Sequence, residues 1–179
     1  MKIATIGRGN VGGGLARIWR AAGHEVVEIG SDGGDASGAD AVLLAVPSGA
    51  IADALGSVTG LEGVPVIDAT NFVRGDRPEG HASLAEYVKT LTGGPVAKAF
   101  NANFARLYDR RGETRATPSM VYAADDDARE VTEQLIRDAG YDPVSIGDLG
   151  RARAVEDFVT GILFAVGPTF YRIGGPDTL

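Results

Sequence analysis

A glycine-rich turn near the start of the chain is the segment whose residue types and spacing most clearly indicate chemistry. Gly7, Gly9 and Gly12 form the pattern Gly-x-Gly-x-x-Gly between a short apolar run and an amphipathic segment. In a strand–turn–helix unit these glycines allow a tight turn, a close ligand approach and close helix–strand packing. The helix N-terminus then presents free N–H groups to phosphates. We predict that a nicotinamide dinucleotide binds here by its pyrophosphate, on Gly7, Arg8, Gly9, Asn10, Val11 and Gly12.

The residues after the second predicted strand should face the adenosine ribose, and they leave the choice of cofactor open. NAD enzymes usually have an acid at this point, whereas a nearby arginine accommodates the 2′-phosphate of NADP. Ser31 and Asp32 follow the strand, Glu28 lies one or two residues before its expected tip, and Arg8 is the nearby cation in sequence. The preferred interpretation is NADP, with its phosphate contacted by Arg8 and Ser31. The alternative is NAD, with its ribose bound by Asp32.

Three further turns follow predicted strands, and each contains proline or asparagine. Open α/β sheets bind their ligands at the carboxyl ends of strands. We therefore predict that these turns line the nicotinamide half of the site, with Pro47, Asn71 and Asn101 flanking the ring. The alternative is ordinary turn chemistry, because proline and asparagine are common in turns. The predicted lining residues are Ala45, Val46, Pro47, Asn71, Phe100 and Asn101.

Short apolar runs alternate with segments of helical periodicity along the chain. Runs that are apolar throughout are typical of strands buried on both faces, which occur in parallel sheets covered by helices. We predict an α/β fold of the Rossmann type, with a doubly wound, mainly parallel sheet and helices on both faces. The predicted strands are Lys2–Ile6, Glu25–Ile29, Ala41–Val46, Val64–Ile67, Val96–Phe100, Met120–Ala123 and Pro143–Ile146, and the predicted helices are Val11–Ala22, Ser48–Leu55, Ser83–Leu91, Asp126–Ala139 and Ala152–Val166.

The domain organisation follows from the chain length and from the segments between these elements. A length of 179 residues fits one dinucleotide-binding domain over residues 1–179, with a C-terminal helical extension from about residue 150. The connection Gly30–Asp40 is too short for a crossover helix, so we expect that helix to be missing. Ser48 is expected to cap the second helix. The loop Val73–Ala82 and the segment Tyr108–Pro118 are expected to be irregular.

Composition narrows the class of protein. The formal net charge of −7 argues against nonspecific binding to nucleic acid and to anionic membranes. The absence of cysteine excludes disulfides and thiolate sites. The chain starts directly with a predicted strand, with no signal-peptide pattern and no apolar run long enough for a membrane span. We therefore expect a cytoplasmic protein with no nucleic-acid or membrane partner.

Several segments together resemble the deazaflavin (coenzyme F-420)-dependent NADP reductases, a family of predicted dinucleotide-binding enzymes. The matching segments are residues 2–12, 23–27, 43–47, 68–71, 96–101, 140–144 and 148–153, with Glu156. The resemblance implies direct hydride transfer between NADPH and a deazaflavin coenzyme, with no obligatory acid or base. The chain departs from the family where Asp32 replaces an arginine after Ser31, where the following stretch is shortened, and where Ala102 replaces a threonine after Asn101.

The remaining polar residues predict no catalytic group and no metal site. His24 is expected to be a surface turn residue, and His81 lies in a loop that could border a substrate. A local concentration of arginines follows Asn101. The interpretations are a solvated loop or, given the resemblance, a patch for the anionic tail of a deazaflavin. These arginines are Arg106, Arg110, Arg111 and Arg115.

The function predicted from these features is an NADP(H)-binding oxidoreductase that passes hydride to a deazaflavin or a similar flat redox partner. One alternative is a reductase of a small carbonyl, imine or metal complex, with Tyr108 or His81 as proton donor. Another is a non-catalytic module that senses dinucleotides. Apolar residues near the end of the chain are expected to pack on the sheet or on a second copy in a homodimer. They are Phe158, Leu163, Phe164, Phe170 and Tyr171.

Overall fold

A seven-stranded sheet organises the part of the chain, residues 1–72 and 78–175, that this computed structural model describes. The strand order is β2-β1-β4-β6-β7-β8-β9, and a separate pair joins β3 to β5. The strands are β1 (Lys2–Ile6), β2 (Glu25–Ile29), β3 (Gly34–Asp35), β4 (Ala41–Leu44), β5 (Val58–Thr59), β6 (Val66–Asp68), β7 (Val96–Lys98), β8 (Ser119–Ala124) and β9 (Asp142–Ser145).

The first five strands of this order are parallel to one another, and the last two run in the opposite direction. β8 pairs with β7 in antiparallel orientation, and β9 then pairs with β8 in parallel. The sheet is therefore mainly parallel, as predicted. The starts of β8 and β9 consequently lie at the same edge as the carboxyl ends of β1, β4, β6 and β7, which is the edge where ligands bind in such sheets.

Helices cover both faces of the sheet and bury two separate hydrophobic clusters. Ile6, Leu44 and Val88 belong to one cluster, and Leu15 and Trp19 belong to the other. This doubly wound, Rossmann-type arrangement confirms the predicted fold class. The helices are α1 (Asn10–Ala21), α2 (Ile51–Gly56), α3 (Leu84–Thr92), α4 (Asp126–Asp138), α5 (Ala152–Phe158) and α6 (Phe164–Val166), with a π-helical segment at Val159–Leu163 and 3₁₀ segments at Ser48–Ala50, Ala105–Glu113 and Leu149–Arg151.

The helices α3 and α2 differ in how they begin. Ser83 caps α3, because its hydroxyl accepts a hydrogen bond from the Glu86 backbone N–H at 3.1 Å, as a capping serine does. The predicted cap at Ser48 is wrong. Ser48 begins a 3₁₀ turn instead, α2 starts at Ile51, and no side chain caps it.

The connection after β2 lacks a crossover helix, as predicted. It forms β3, which pairs with β5 in a small parallel ribbon. The segment Tyr108–Pro118 is less irregular than expected, because Tyr108 is buried in the core and its neighbours wind into the 3₁₀ segment around it. Part of the predicted loop Val73–Ala82 lies outside the described residues.

The predicted C-terminal helix is continuous over its expected range but contains the π-helical segment. The described residues after Val166, up to Gly175, form neither helix nor strand. Among the described residues, no helix has both the length and the apolar character that a membrane span requires.

Candidate functional site

The glycine-rich turn links β1 to α1, and two of its glycines are required by the protein's own packing. Gly7 has a φ of +106°, and a Cβ there would lie 2.3 Å from the Ala45 carbonyl oxygen. A Cβ on Gly12 would lie 1.9 Å from the Gly7 carbonyl oxygen. These contacts bring the first turn of α1 against the ends of β1 and β4, which is the close helix–strand approach that the motif predicts.

Gly9 differs, because nothing in the described structure requires a glycine there. Its φ is −74°, and no described atom lies within 4 Å of where its Cβ would be. Gly9 is also the N-cap of α1, whose N-terminus has no side-chain cap and no acid in its first turn. The free N–H groups of α1 therefore begin beside open space, which fits a phosphate.

A cavity of about 560 Å³ begins at this turn and extends over the ends of β1, β2 and β4. It brings together eight of the residues predicted to bind the cofactor, namely Gly7, Arg8, Gly9, Ser31, Asp32, Ala45, Val46 and Pro47. Pro47 therefore lies with the glycine-rich turn and not with Asn71 and Asn101. Asn10 and Gly12 lie in the turn but do not line the cavity.

The far wall of this larger cavity comes from α2, which sequence reasoning missed. Asp53, Ala54 and Ser57 line it. A Cβ on Gly33 would lie 2.2 Å from the Ser57 carbonyl oxygen, so the turn after β2 is packed directly against the end of α2. The short Gly30–Asp40 connection is the sequence feature that permits this approach, but its partner could not be read from the sequence.

Arg8 lies across the tip of β2. Its Nη2 donates to the Glu28 carbonyl oxygen at 3.3 Å, and a Cβ on Gly30 would lie 2.9 Å from the guanidinium carbon. The Glu28 carboxylate is paired with Arg20 at 2.7 Å. Glu28 is therefore held by another cation, and Arg8 lines the cavity beside Ser31.

A smaller cavity of about 150 Å³ lies at the ends of β6 and β7. Asn71 Nδ2 donates to the Asn101 carbonyl oxygen at 2.8 Å, and Asn101 Nδ2 donates to Asn71 Oδ1 at 3.1 Å. This reciprocal pair joins the two strand ends. The lining residues are Val11, Ala69, Asn71, Phe100, Asn101, Ala102, Asn103, Phe104, Ala105, Val159, Leu163 and Phe164.

Phe100 reaches the smaller cavity in an unusual backbone conformation. Its φ is +64°, in the left-handed region that non-glycine residues rarely adopt. Its ring packs edge-on against Trp19 with a centroid distance of 5.4 Å. The buried ring anchors the strand end to the core, and strain of this kind is typical of functional sites.

The C-terminal helix forms the apolar wall of the smaller cavity through Val159, Leu163 and Phe164. Val159 and Leu163 bound the π-helical segment. π-Helical turns are often found at functional sites. Apolar periodicity predicted a helix here. It did not indicate the π-helical turn, nor that this helix lines the same cavity as Asn101.

A buried ionic cluster lies behind this cavity, and sequence reasoning missed it. Lys98 Nζ is 2.8 Å from Asp68 Oδ2 and 3.2 Å from Glu156 Oε1, and it donates to the Thr70 carbonyl oxygen at 2.6 Å. All three charged side chains are almost completely buried. The cluster ties β6, β7 and α5 together directly behind the residues that line the cavity.

The residues considered as proton donors lie elsewhere. His81 contacts the Glu79 carbonyl oxygen at 2.8 Å and the Thr90 hydroxyl at 3.2 Å, on an exposed surface. Tyr108 is buried beneath α1 against Gly14, and burial raises the pKa of its phenol well above the usual range. Neither side chain lines either cavity.

His24 is not the surface residue that was predicted. Its Nε2 lies 2.9 Å from Asp138 Oδ2, and its side chain is only 9% exposed. The C-terminal end of α4 packs over the turn between α1 and β2 and covers it.

The four arginines after Asn101 do not converge on one point. Arg106 lies 5.8 Å over the ring of Phe104, which lines the smaller cavity. Arg110 pairs with Glu113. Arg111 and Arg115 line a separate, open cleft of about 550 Å³. Only Arg106, of the four, neighbours the smaller cavity.

No family model and no curated protein matches this chain, but solved structures do. A protein described as a candidate F-420-dependent NADP reductase, from an Arthrobacter species, is 23% identical over 98% of this chain and all of its own, with a TM-score of 0.76. A hypothetical protein from Sinorhizobium meliloti is 28% identical over 84% of this chain and 86% of its own, with a TM-score of 0.67.

A reductive aminase from Aspergillus terreus, solved with NADPH4, cyclohexanone and allyl amine, has a TM-score of 0.65 at 13% identity. The match covers 92% of this chain but 60% of the aminase. These similarities confirm the predicted Rossmann-type fold, and one of the similar structures carries the description of the family that the sequence resembles.

Proposed function

We propose that this protein is an NADP(H)-dependent oxidoreductase that transfers hydride between NADPH and a deazaflavin or a similar flat redox partner. The observation that carries the proposal is the unfilled Cβ position of Gly9, at the uncapped N-terminus of α1 beside a cavity of about 560 Å³. Packing explains Gly7 and Gly12, whereas Gly9 leaves the backbone at the helix N-terminus open to the close approach of a ligand.

The residues present fit a dinucleotide in a defined order. The N-terminus of α1 holds the pyrophosphate, and Arg8 with Ser31 receives the 2′-phosphate. The Asn71–Asn101 pair bounds the space for the nicotinamide ring, which when bound supplies or accepts the hydride. Val159 and Leu163 exclude water from that space, so the chain contributes to the rate by orientation and a dry environment.

The lining of the smaller cavity favours a hydride acceptor that needs no proton from the protein. None of its described lining residues has a titratable side chain. A carbonyl substrate ordinarily requires a general acid beside the hydride acceptor, whereas a deazaflavin ring requires orientation. This difference supports a flat redox coenzyme over a small carbonyl compound.

Hydride transfer to a deazaflavin can be tested directly with deuterium. We expect NADPH labelled at C4 to be consumed when the deazaflavin is added, with the label recovered on the deazaflavin ring. The same assay with flavins and with a cyclic imine defines the range of acceptors. Binding of NADPH without turnover of any acceptor would favour the dinucleotide-sensing alternative, and turnover of the imine alone would favour an imine reductase.

The Arg8→Ala substitution should identify the cofactor. We expect the Kd for NADPH to rise about ten- to hundredfold, because a charge-assisted contact to the 2′-phosphate is lost, while the Kd for NADH changes little. Arg17→Ala is the matched control, since Arg17 is an exposed arginine of α1, the helix that follows the turn of Arg8, and is paired with Asp109. Tighter binding of NADH than of NADPH by the wild-type protein would instead assign the ribose contact to Asp32.

A further inference from the structure

Two aromatic side chains stand at the mouth of the smaller cavity. Phe104 and Phe164 both line it, Phe164 is 47% exposed, and Phe104 is half-buried. Asn101 also lines the cavity but is only 6% exposed, so it lies deeper. Aromatic side chains pack well against other flat rings. A hydride acceptor that enters after the nicotinamide would therefore lie against the two phenylalanine rings.

A cation lies directly beside this aromatic mouth. Arg106 follows the lining residue Ala105, is exposed, and has its guanidinium carbon 5.8 Å from the centroid of the Phe104 ring. A guanidinium placed over a ring in this way makes a cation–π contact. The contact uses the face of the guanidinium, so it positions the group while leaving its N–H donors available.

Arg106 differs from its neighbour Arg110 in having no acidic partner. Arg110 is paired with Glu113 at 2.9 Å, whereas Arg106 has neither an ion pair nor a hydrogen bond with any residue in the described part of the chain. None of the described lining residues of the smaller cavity is acidic. An anionic group at the mouth would consequently meet a cation, with no carboxylate of the lining to repel it.

We propose that Arg106 binds a negatively charged group of the hydride acceptor, so that the protein favours flat redox compounds that carry a phosphate or a similar anion over neutral ones. This inference rests on the proposed function and names the class of acceptor. The ring of the acceptor lies against Phe104 and Phe164, and its charged substituent extends outward along Arg106. Paired N–H donors make a guanidinium well suited to bind phosphate.

A 5-deazariboflavin and its 5′-phosphate test this inference, because they share one ring and differ only in the phosphate. We measure kcat/KM for each with saturating NADPH, for the wild-type protein and for Arg106→Gln. An exposed contact between a guanidinium and a phosphate should change the ratio of the two values about three- to tenfold. We expect the preference for the phosphate to fall by that factor in Arg106→Gln, and to weaken in the wild type as salt is raised.

Arg110→Gln is the matched control. It removes the same charge from the same 3₁₀ segment, outside both cavities, so the ratio should stay at the wild-type value. A disturbed Phe104 ring would lower both kcat/KM values together and leave their ratio unchanged, whereas Arg106→Lys keeps the charge and should retain part of the preference.

The outcomes separate this inference from the proposed function. An equal ratio in the wild type and Arg106→Gln would overturn the inference, and so would an equal fall in Arg106→Gln and Arg110→Gln, because net charge would then explain it. In both cases the transfer of hydride to the two acceptors leaves the proposed function intact. If the wild-type protein binds NADPH but reduces neither acceptor, the proposed function fails and the inference fails with it.

Discussion

The Gly9→Val substitution is expected to reduce NADPH affinity at least about a hundredfold while leaving the fold intact. The valine side chain would occupy the space beside the uncapped N-terminus of α1, where the pyrophosphate is expected to lie. Its backbone at φ −74° is one that valine adopts readily. The loss of a glycine N-cap should cost about 1 kcal/mol or less in the free energy of unfolding. Calorimetric titration and urea denaturation measure the two effects separately.

Two controls make this experiment specific. In Gly12→Ala, the new Cβ would collide with the Gly7 carbonyl oxygen at 1.9 Å, so we expect a loss of stability of about 1–3 kcal/mol or more from overpacking. Gly112→Val places the same side chain where no described atom lies within 4 Å, outside both cavities, and should bind NADPH normally. If the Gly9→Val protein bound NADPH as tightly as the wild type, the pyrophosphate could not bind at this turn.

The Lys98→Met substitution is expected to lower the free energy of unfolding by about 3–5 kcal/mol. It removes the ammonium that contacts both buried carboxylates, Asp68 and Glu156, and breaking a buried ion pair by removing one partner costs about this much. The same ammonium joins the ends of β6 and β7 to α5. Urea denaturation, followed by circular dichroism, measures this loss. An m-value equal to that of the wild type shows that both proteins expose the same surface area on unfolding.

Lys89→Met is the control for this second experiment. Lys89 is paired with Asp125, but its side chain is 47% exposed, and exposed ion pairs contribute about 0–1 kcal/mol. A loss of less than about 1 kcal/mol for Lys98→Met, equal to that of the control, would mean that the buried cluster does not hold these elements together.

The sequence predicted most of the architecture because the relevant signals are local. Apolar runs placed β1 and β2 at their observed bounds, and the glycine spacing placed the start of α1 within one residue. The reversal of β8 was not specified in the sequence, because an apolar run such as Ser119–Ala124 is buried in either direction. The spacing of Leu84, Val88 and Leu91 is typical of one buried helix face, and Leu84 and Val88 are buried, whereas Leu91 is 43% exposed.

The candidate site was predictable where a strand end carries a recognisable turn. The three turns after β4, β6 and β7 reach the predicted edge, but they divide between two cavities. The ionic cluster was not predictable, because its three residues are far apart in sequence. Lys98 is 30 residues from Asp68, and Glu156 lies on α5. Tyr108 was one of the two alternative proton donors, but the 3₁₀ segment turns it into the core.

The most direct test of the account is a titration of the wild-type protein with NADPH and NADH side by side, followed by nicotinamide fluorescence. We expect saturable binding of both dinucleotides, tighter for NADPH, with the NADPH signal lost in Gly9→Val and retained in Gly112→Val. Absence of binding by either dinucleotide to the folded wild-type protein would contradict the central claim that the glycine turn is a dinucleotide site.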